Sequence, residues 1–200
     1  LARGSRSTDA SGSEAPRPLQ ILSVATVHPA KGHDLLLEAL AEVPCRSWHL
    51  TCAGSLTRHP VTVDRLRGMV ISLGLGDHVS FVGDLDRQDL AACYDAADVF
   101  VLATQQETYG MAVAEALACG LPVVATMTGA IPDLVGDAAG LLVPVGDTPA
   151  LTHALARVLE DASLRTRLAE GARHARQRLP TWDTACQRMS DALEAVVAHG

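Results

Sequence analysis

The stretch 98–129, which reads DVFVLATQQETYGMAVAEALACGLPVVATMTG, constrains the fold of this chain more than any other part of it. Its first apolar run, Val99–Leu102, is short and rich in branched and aromatic residues, which is typical of a buried parallel strand. An Ala-rich segment at 110–119 has the length and propensity of a helix and is followed by a glycine, a common helix stop. The run 121–125 begins another strand, in which Pro122 is tolerated because it lies near the start. The stretch therefore predicts a strand, a loop, a helix and a second strand.

The same alternation of strands and helices runs through the rest of the chain. Apolar runs predict strands at 19–24, 48–53, 79–83 and 140–144. Helical spacing predicts helices at 34–43, 63–73, 89–97, 131–135, 148–159, 163–178 and 182–198. Such alternation predicts an α/β fold with a mainly parallel sheet and right-handed crossovers. Residues 1–18, which are rich in Ser, Gly, Ala, Pro and Arg, predict a disordered linker or arm ahead of one domain at 19–200.

The composition excludes several classes of protein. A net charge of −7 and a single lysine provide no surface that tracks nucleic-acid phosphates, so no nucleic-acid partner is expected. No apolar run has the roughly 20 residues of a membrane span, and no signal-peptide pattern appears near Leu1. The five cysteines lack metal-ligand spacing and indicate reduced thiols. We therefore expect a cytoplasmic protein.

Two carboxylates, Glu107 and Glu115, lie in the central unit. Glu107 falls in the loop at the carboxyl end of a strand, where open parallel sheets bind ligands. Glu115 falls within the Ala-rich helix, where a buried charge needs a partner and a charge on the solvated face needs none. It shares a face with the first turn of the helix, so a ligand over the helix start would meet a carboxylate there. One carboxylate accepts from two hydroxyls at once, which suits a sugar or a ribose diol.

Lys31 stands between the first predicted strand and the helix that follows it. Backbone amides at a helix start attract anions, and a neighbouring ammonium adds to that attraction. A phosphate site is one interpretation, and a solvated surface lysine is the other. Lys31 is the one lysine of the chain, which favours a functional role.

Other catalytic chemistries lack their motifs in this chain. There is no G-x-S-x-G elbow and no cysteine beside a histidine in a nucleophile motif. His28 and His33 flank Lys31, but no carboxylate or thiol follows at ligand spacing, so no metal is expected. What remains is one lysine near a helix start, two glutamates and glycine-containing strand ends. That combination suits a phosphate joined to polyols, as in a nucleotide-sugar.

Two segments carry a resemblance to a known family. The segment 107–126, ETYGMAVAEALACGLPVVAT, and the segment 30–40, AKGHDLLLEAL, resemble two regions of the retaining GT-B glycosyltransferases called glycosyl transferases group 1. These are the family's E-x7-E region and its lysine-glycine segment. Further segments at 73–83, 97–101 and 139–143 follow in the family's order. The resemblance implies one half of a GT-B fold, a Rossmann-like parallel sheet flanked by helices on both faces.

The resemblance also implies roles for particular residues. Lys31 and Glu107 would be catalytic, because Lys31 would neutralise the diphosphate as the glycosidic bond breaks and Glu107 would lie by the donor sugar. Glu115 would hold the ribose hydroxyls. Backbone groups would bind the sugar and phosphate at Tyr109, Gly110, Met111 and Ala112, and the base at Val82 and Gly83. The donor substrate would be a nucleoside diphosphate sugar, and no metal or other cofactor is expected.

In that family a donor-binding half of this kind is carboxy-terminal and works with a second half. We therefore expect an amino-terminal, acceptor-binding half outside this chain. Membrane-associated acceptors are among those that such a half would bind. The 200-residue chain by itself is expected to bind a donor weakly and to transfer nothing.

Two positions depart from the family's pattern. Thr26 stands where an arginine is usual, so one of two cations that clamp the diphosphate is absent, and Asp133 stands where a glutamate is frequent. The loss of a cation leaves other interpretations open. One is a catalytically silent module that binds nucleotide-sugars, and another is a nucleotide-sugar epimerase or a phosphorylase on the same architecture.

Overall fold

The computed structural model describes residues 17–178. Nearly all of the predicted arm at 1–18, and the predicted helix at 182–198, lie outside that range. The strands are β1 (Leu19–Val24), β2 (Trp48–Ala53), β3 (Val79–Gly83), β4 (Val99–Leu102), β5 (Val123–Thr126) and β6 (Gly140–Val143). The helices are α1 (His33–Glu42), α2 (Pro60–Ser72), α3 (Arg87–Ala96), α4 (Met111–Ala118), α5 (Ile131–Val135), α6 (Thr148–Glu160) and α7 (Ala162–Arg176), with a 3-10 turn at Pro29–Lys31.

The strands form one parallel sheet in the order β3-β2-β1-β4-β5-β6. The chain builds outward from β1 to β3, then returns to the other side of β1 and builds outward to β6. The strand order thus reverses between β1 and β4, and in open α/β sheets ligands bind beyond the carboxyl ends of the strands at such a reversal.

Helices cover both faces of the sheet, which confirms the predicted Rossmann-like α/β fold. Alternate residues of one strand point to opposite faces, so Val99 and Val101 of β4 enter one core and Phe100 and Leu102 enter the other. The first core is completed by α1, α2 and α6, and the second by α3, α4 and α5. Each β4 side chain is at most 2% exposed, as a strand buried on both faces requires.

The last described helix, α7, belongs to both cores. Leu164 and Leu168, in its first half, pack in the core of α1, α2 and α6. Ala172 and Ala175, in its second half, pack in the core of α4 and α5. The helix therefore joins the two layers at the β6 side of the sheet.

Three elements start two or three residues away from the predicted position, each for a local reason. Helix α2 begins at Pro60 instead of 63, because proline is well tolerated in the first turn, where its missing N–H is not needed. Helix α3 begins at Arg87 instead of 89, because the Asp86 side chain caps it by accepting from two amides of the first turn. Strand β5 begins after Pro122. That proline still accepts through its carbonyl from the Phe100 amide, at 2.9 Å.

Two helical glycines differ sharply in the space around them. A Cβ at Gly171 of α7 would lie 2.0 Å from the Ala138 carbonyl oxygen, whereas a Cβ at Gly68 of α2 would meet nothing within 4 Å. We expect Gly171→Ala to lower the free energy of unfolding by about 3 kcal/mol through overpacking. We expect Gly68→Ala to raise it by roughly 0.5–1 kcal/mol, because alanine is the better helix former. Urea denaturation measures both, and equal effects would contradict the close packing of α7.

Candidate functional site

Lys31 is held in a tight loop that leaves the carboxyl end of β1. It is the last residue of a 3-10 turn that the His28 side chain caps, since His28 Nδ1 accepts from the Ala30 amide at 3.2 Å. Gly32 ends the turn in the left-handed region, at φ +65°. A Cβ there would lie 2.0 Å from the carbonyl oxygen of Ala103, which follows β4. Glycine is therefore required, and the loops after β1 and β4 pack backbone against backbone.

This packing joins Lys31 to Glu107. The Lys31 Nζ lies 2.9 Å from Glu107 Oε2. The other carboxylate oxygen, Oε1, accepts from the amides of Thr108 at 3.1 Å and Gly110 at 3.3 Å. The side chains are 28% and 19% exposed, so both retain access to solvent and to a ligand. The two predicted catalytic residues thus form one charged pair at the point where the strand order reverses.

The contacts around Glu107 keep it ionised. Burial by itself would raise the pKa of this carboxyl. The hydrogen bonds and charge of Lys31, together with the amides of Gly110 and Thr108, outweigh burial and lower the pKa below its ordinary value. At neutral pH Glu107 is therefore a carboxylate that can only accept hydrogen bonds.

The amino terminus of α4 lies beside the pair. Gly110 precedes the helix with φ +68° and gives it no side-chain cap. The first helical bond runs from the Ala114 amide to the Gly110 carbonyl, at 2.9 Å. The amides of Met111 and Ala112 therefore have no acceptor within the helix, and they lie at its positive end. An anion is favoured in that position.

Other residues, which no sequence pattern singled out, hold the loops of the site together. Thr104 is fully buried, and its hydroxyl lies 3.1 Å from the Ala30 carbonyl and 2.8 Å from the Gln106 carbonyl. The Thr126 hydroxyl, at the end of β5, donates to the Thr104 carbonyl. The loops after β1, β4 and β5 are therefore linked by hydrogen bonds from the hydroxyls of Thr104 and Thr126 to backbone carbonyls.

Gly129 extends this linkage by direct contact. Its φ is +54°, and a Cβ there would lie 1.7 Å from the carbonyl oxygen of Glu107. The backbone after β5 therefore packs directly against the loop that holds Glu107, and any side chain at position 129 would displace that loop. A glycine after a strand is the one signal in the sequence that points to this close approach.

Glu115 lies one turn further along α4, on its exposed face, and it does have a partner. The Tyr94 hydroxyl of α3 lies 2.9 Å from Glu115 Oε2. Among the hydrogen bonds of residues 17–178, the Glu115 carboxylate accepts from no other group. Glu115 therefore lies on the helix whose first turn adjoins the charged pair, but it forms no hydrogen bond with either member of the pair. Tyr94 is a residue that the sequence analysis missed.

The two residues predicted to meet a base, Val82 and Gly83, lie at the end of the edge strand β3. Val82 is 42% exposed, and the Gly83 carbonyl is occupied by the Gly54 amide at 2.8 Å. A hollow of about 250 Å³ lies at the carboxyl ends of β1, β2 and β3. Val82 and Gly83 are not part of its lining, but Asp84, which follows Gly83, is. Thr26, Ser55 and Asp84 contribute to its walls. The structure thus provides a concave surface next to Val82 and Gly83, with Asp84 forming part of it.

The histidines near Lys31 have separate environments. His28 is exposed and its Nδ1 is used in the cap. His33 is 3% exposed, and neither ring nitrogen has a partner. Burial lowers the pKa of His33 to about 4, so it is neutral at physiological pH. Across residues 17–178, no three His, Cys, Asp or Glu side chains are grouped for a metal ion.

A family model described as glycosyl transferases group 1 matches residues 6–175. The chain belongs to the glycosyl transferases group 1 family. Among the curated relatives is the D-inositol 3-phosphate glycosyltransferase of Xylanimonas cellulosilytica, 37% identical over 172 residues. The match covers 86% of this chain and 41% of that protein.

Solved structures of other proteins share the fold of this group 1 chain. Sucrose-phosphate synthase from Thermosynechococcus elongatus superposes with a TM-score of 0.80 and 32% identity, over 92% of this chain and 46% of that one. Anabaena HepE, solved in complex with UDP and glucose, superposes with a TM-score of 0.81 and 25% identity, over 90% of this chain and 49% of that one. The chain spans about half the length of the proteins that it matches.

The structure of this group 1 chain adds two observations. Thr26, where the family usually has arginine, is half-buried in the wall of the hollow. In the part of the chain that the structure describes, every helix is too short or too polar to cross a membrane.

Because the pKa of Glu107 is lowered, its contribution to the free energy of unfolding should depend on pH. A carboxyl with a lowered pKa stabilises the fold above its unfolded pKa of about 4.3, and that contribution is lost as the pH falls through the folded value. We therefore expect Glu107→Gln to be less stable than the unaltered chain at pH 7 by under about 1 kcal/mol, since the pair is partly exposed. The difference should shrink as the pH falls from about 5 to 3.

Urea denaturation across that pH range measures the difference. Glu160→Gln, at the exposed end of α6, is the matched control, and its difference from the unaltered chain should not vary in this way. A Glu107→Gln difference that stays constant from pH 7 to pH 3 would show that Lys31 does not stabilise the Glu107 carboxylate.

Proposed function

We propose that this chain is the donor-binding half of a retaining glycosyltransferase that uses a nucleoside diphosphate sugar. The observation that carries the proposal is the Lys31–Glu107 pair, at 2.9 Å, beside the amides at the start of α4. Membership of the group 1 family and the likeness to HepE, which was solved with UDP and glucose, support it. The curated relatives are named glycosyltransferases, which does not favour an epimerase or a silent module.

The charges around α4 suit a leaving diphosphate. Cleavage of the bond between the sugar's anomeric carbon and the phosphate oxygen leaves negative charge on the diphosphate. The Lys31 ammonium and the amides of Met111 and Ala112 would stabilise that charge, because they are fixed before the reaction begins. In this proposal Lys31 contacts both the diphosphate and Glu107, so the carboxylate keeps the ammonium in place.

The remaining predicted residues bind the other parts of the donor, which are its sugar, its ribose and its base. Glu107, which already accepts from the Gly110 amide, accepts from hydroxyls of the donor sugar as well, and the Tyr109 amide also approaches these hydroxyls. Glu115 accepts from the ribose hydroxyls. The base lies in the hollow next to Val82 and Gly83. We expect the reaction to need no metal, since the lysine and the helix terminus together neutralise the diphosphate.

The acceptor belongs to the part of the enzyme that this chain does not cover. The chain spans 41% of the Xylanimonas relative, and a GT-B enzyme places its reaction in a cleft between two halves. In our proposal an amino-terminal half binds the acceptor, including any acceptor held at a membrane. This chain by itself then binds the donor and transfers nothing, and the whole enzyme works in the cytoplasm.

Isothermal titration of the chain with UDP, GDP and ADP tests the proposal and identifies the base. We expect one of the three to bind, and Glu115→Ala to weaken that binding about 100-fold or more, since it removes two hydrogen bonds to a charged group. Glu160→Ala, on the outer helix α6, should leave the affinity unchanged. If none of the three nucleotides binds, or if Glu115→Ala binds as tightly as the unaltered chain, the proposed donor site is wrong.

A substitution at Thr26 tests the proposal through an expected gain of nucleotide affinity, where Glu115→Ala tests it through a loss. If the diphosphate lies between Lys31 and the end of β1, Thr26→Arg restores a second cation next to it. We expect the affinity for the nucleotide to rise about 10-fold, as one charge-assisted hydrogen bond would give. The same titration measures it, with Thr57→Arg on the neighbouring loop as a control for the added charge alone. An unchanged affinity in Thr26→Arg would place the diphosphate elsewhere.

A further inference from the structure

Tyr94 is a buried residue whose one polar atom faces the proposed donor site. It lies on α3, is 4% exposed, and packs its ring on Phe100 of β4 with centroids 6.1 Å apart and planes 24° apart. Its hydroxyl reaches α4, where it lies 2.9 Å from Glu115 Oε2 and 3.3 Å from the Ala112 carbonyl. A phenylalanine would fill the same space, so packing by itself does not require the hydroxyl.

The phenol has one hydrogen and two acceptors within reach. The carboxylate oxygen of Glu115 is the nearer acceptor and is charged, and such bonds are about twice as strong as neutral ones. Burial, followed by the charge of Glu115, raises the pKa of Tyr94 far above its ordinary value. The hydroxyl therefore stays protonated and donates a hydrogen bond to Glu115.

This bond restricts a side chain that would otherwise be mobile. Glu115 is exposed, and a free glutamate loses roughly 1.5–2 kcal/mol of rotamer entropy when it is immobilised. Across residues 17–178, Tyr94 is the one group from which its carboxylate accepts. The free chain has thus already oriented the carboxylate that we assign to the ribose.

We propose that Tyr94 is a positioning residue that orients Glu115 for the ribose diol, and that this orientation increases the preference of the site for a ribonucleotide over its 2′-deoxy form. Tyr94 uses one acceptor position of Oε2, and Oε1 stays free to accept from the 2′ and 3′ hydroxyls. The inference rests on the proposed function and deepens it. A 2′-deoxyribonucleotide leaves one of the oriented acceptor positions unpaired, and a site built for a hydroxyl discriminates against an analogue that lacks it.

Titration of Tyr94→Phe with two probes tests this role. The probes are whichever of UDP, GDP and ADP binds the unaltered chain best, and the 2′-deoxy form of the same nucleotide. We expect the ribonucleotide to lose about 10-fold in affinity and the 2′-deoxy form to lose less, so that the ratio between the two affinities shrinks. Phenylalanine keeps the ring and its stacking on Phe100, and circular dichroism checks that the variant is folded.

Thr152→Val is the matched control, because it also removes one hydroxyl from a helix but on the opposite face of the sheet. It should leave both affinities and their ratio unchanged. Equal losses for the two probes in Tyr94→Phe would show that the Tyr94 hydroxyl does not act through the contact of Glu115 with the 2′ hydroxyl, and unchanged affinities would show that Glu115 does not need Tyr94. Either result would overturn the inference.

The failure of this inference is distinguishable from failure of the proposed function. If Glu115→Ala weakens binding while Tyr94→Phe does not, the donor site stands and the role of Tyr94 is wrong. If the unaltered chain binds none of the three ribonucleotides, the donor site and the role of Tyr94 are overturned together.

Discussion

The contact on which the site depends is the charged pair of Lys31 and Glu107, which joins residues 76 positions apart in the chain. The pair forms because Gly32 lets the loop after β1 lie directly on the backbone of Ala103, after β4. The partial burial of the two side chains makes each need the other, since an unpaired buried charge is costly. A single ammonium therefore organises two loops, and α4 places its unpaired amides next to it.

Much of this arrangement follows from local sequence. The apolar run Val99–Leu102 predicted a doubly buried strand, and the alternation of elements predicted a parallel sheet with helices on both faces. In such a sheet the loops at the carboxyl ends lie at one edge, which allows Lys31 and Glu107 to meet. Helix capping also follows from local sequence, since the Asp147 side chain accepts from the Ala150 amide at the start of α6.

The contacts that sequence reasoning missed depend on distant backbone and on single side chains. Nothing around Tyr94 in the sequence indicates that its hydroxyl reaches Glu115, because the two residues lie on different helices that β4 separates along the chain. Thr104 and Gly129 have similar roles, since each supports the Glu107 loop through a carbonyl. Carbonyl positions follow from tertiary packing, and neither hydrophobic period nor propensity reports them.

The shared packing of α7 has a consequence for how the domain comes apart. Because Leu164 and Leu168 fill one core and Ala172 and Ala175 fill the other, loss of this helix uncovers apolar surface on the two sides of the sheet together. The layers are thereby coupled to each other through one helix. Proteolysis that enters α7 consequently destabilises both layers, and not one of them alone.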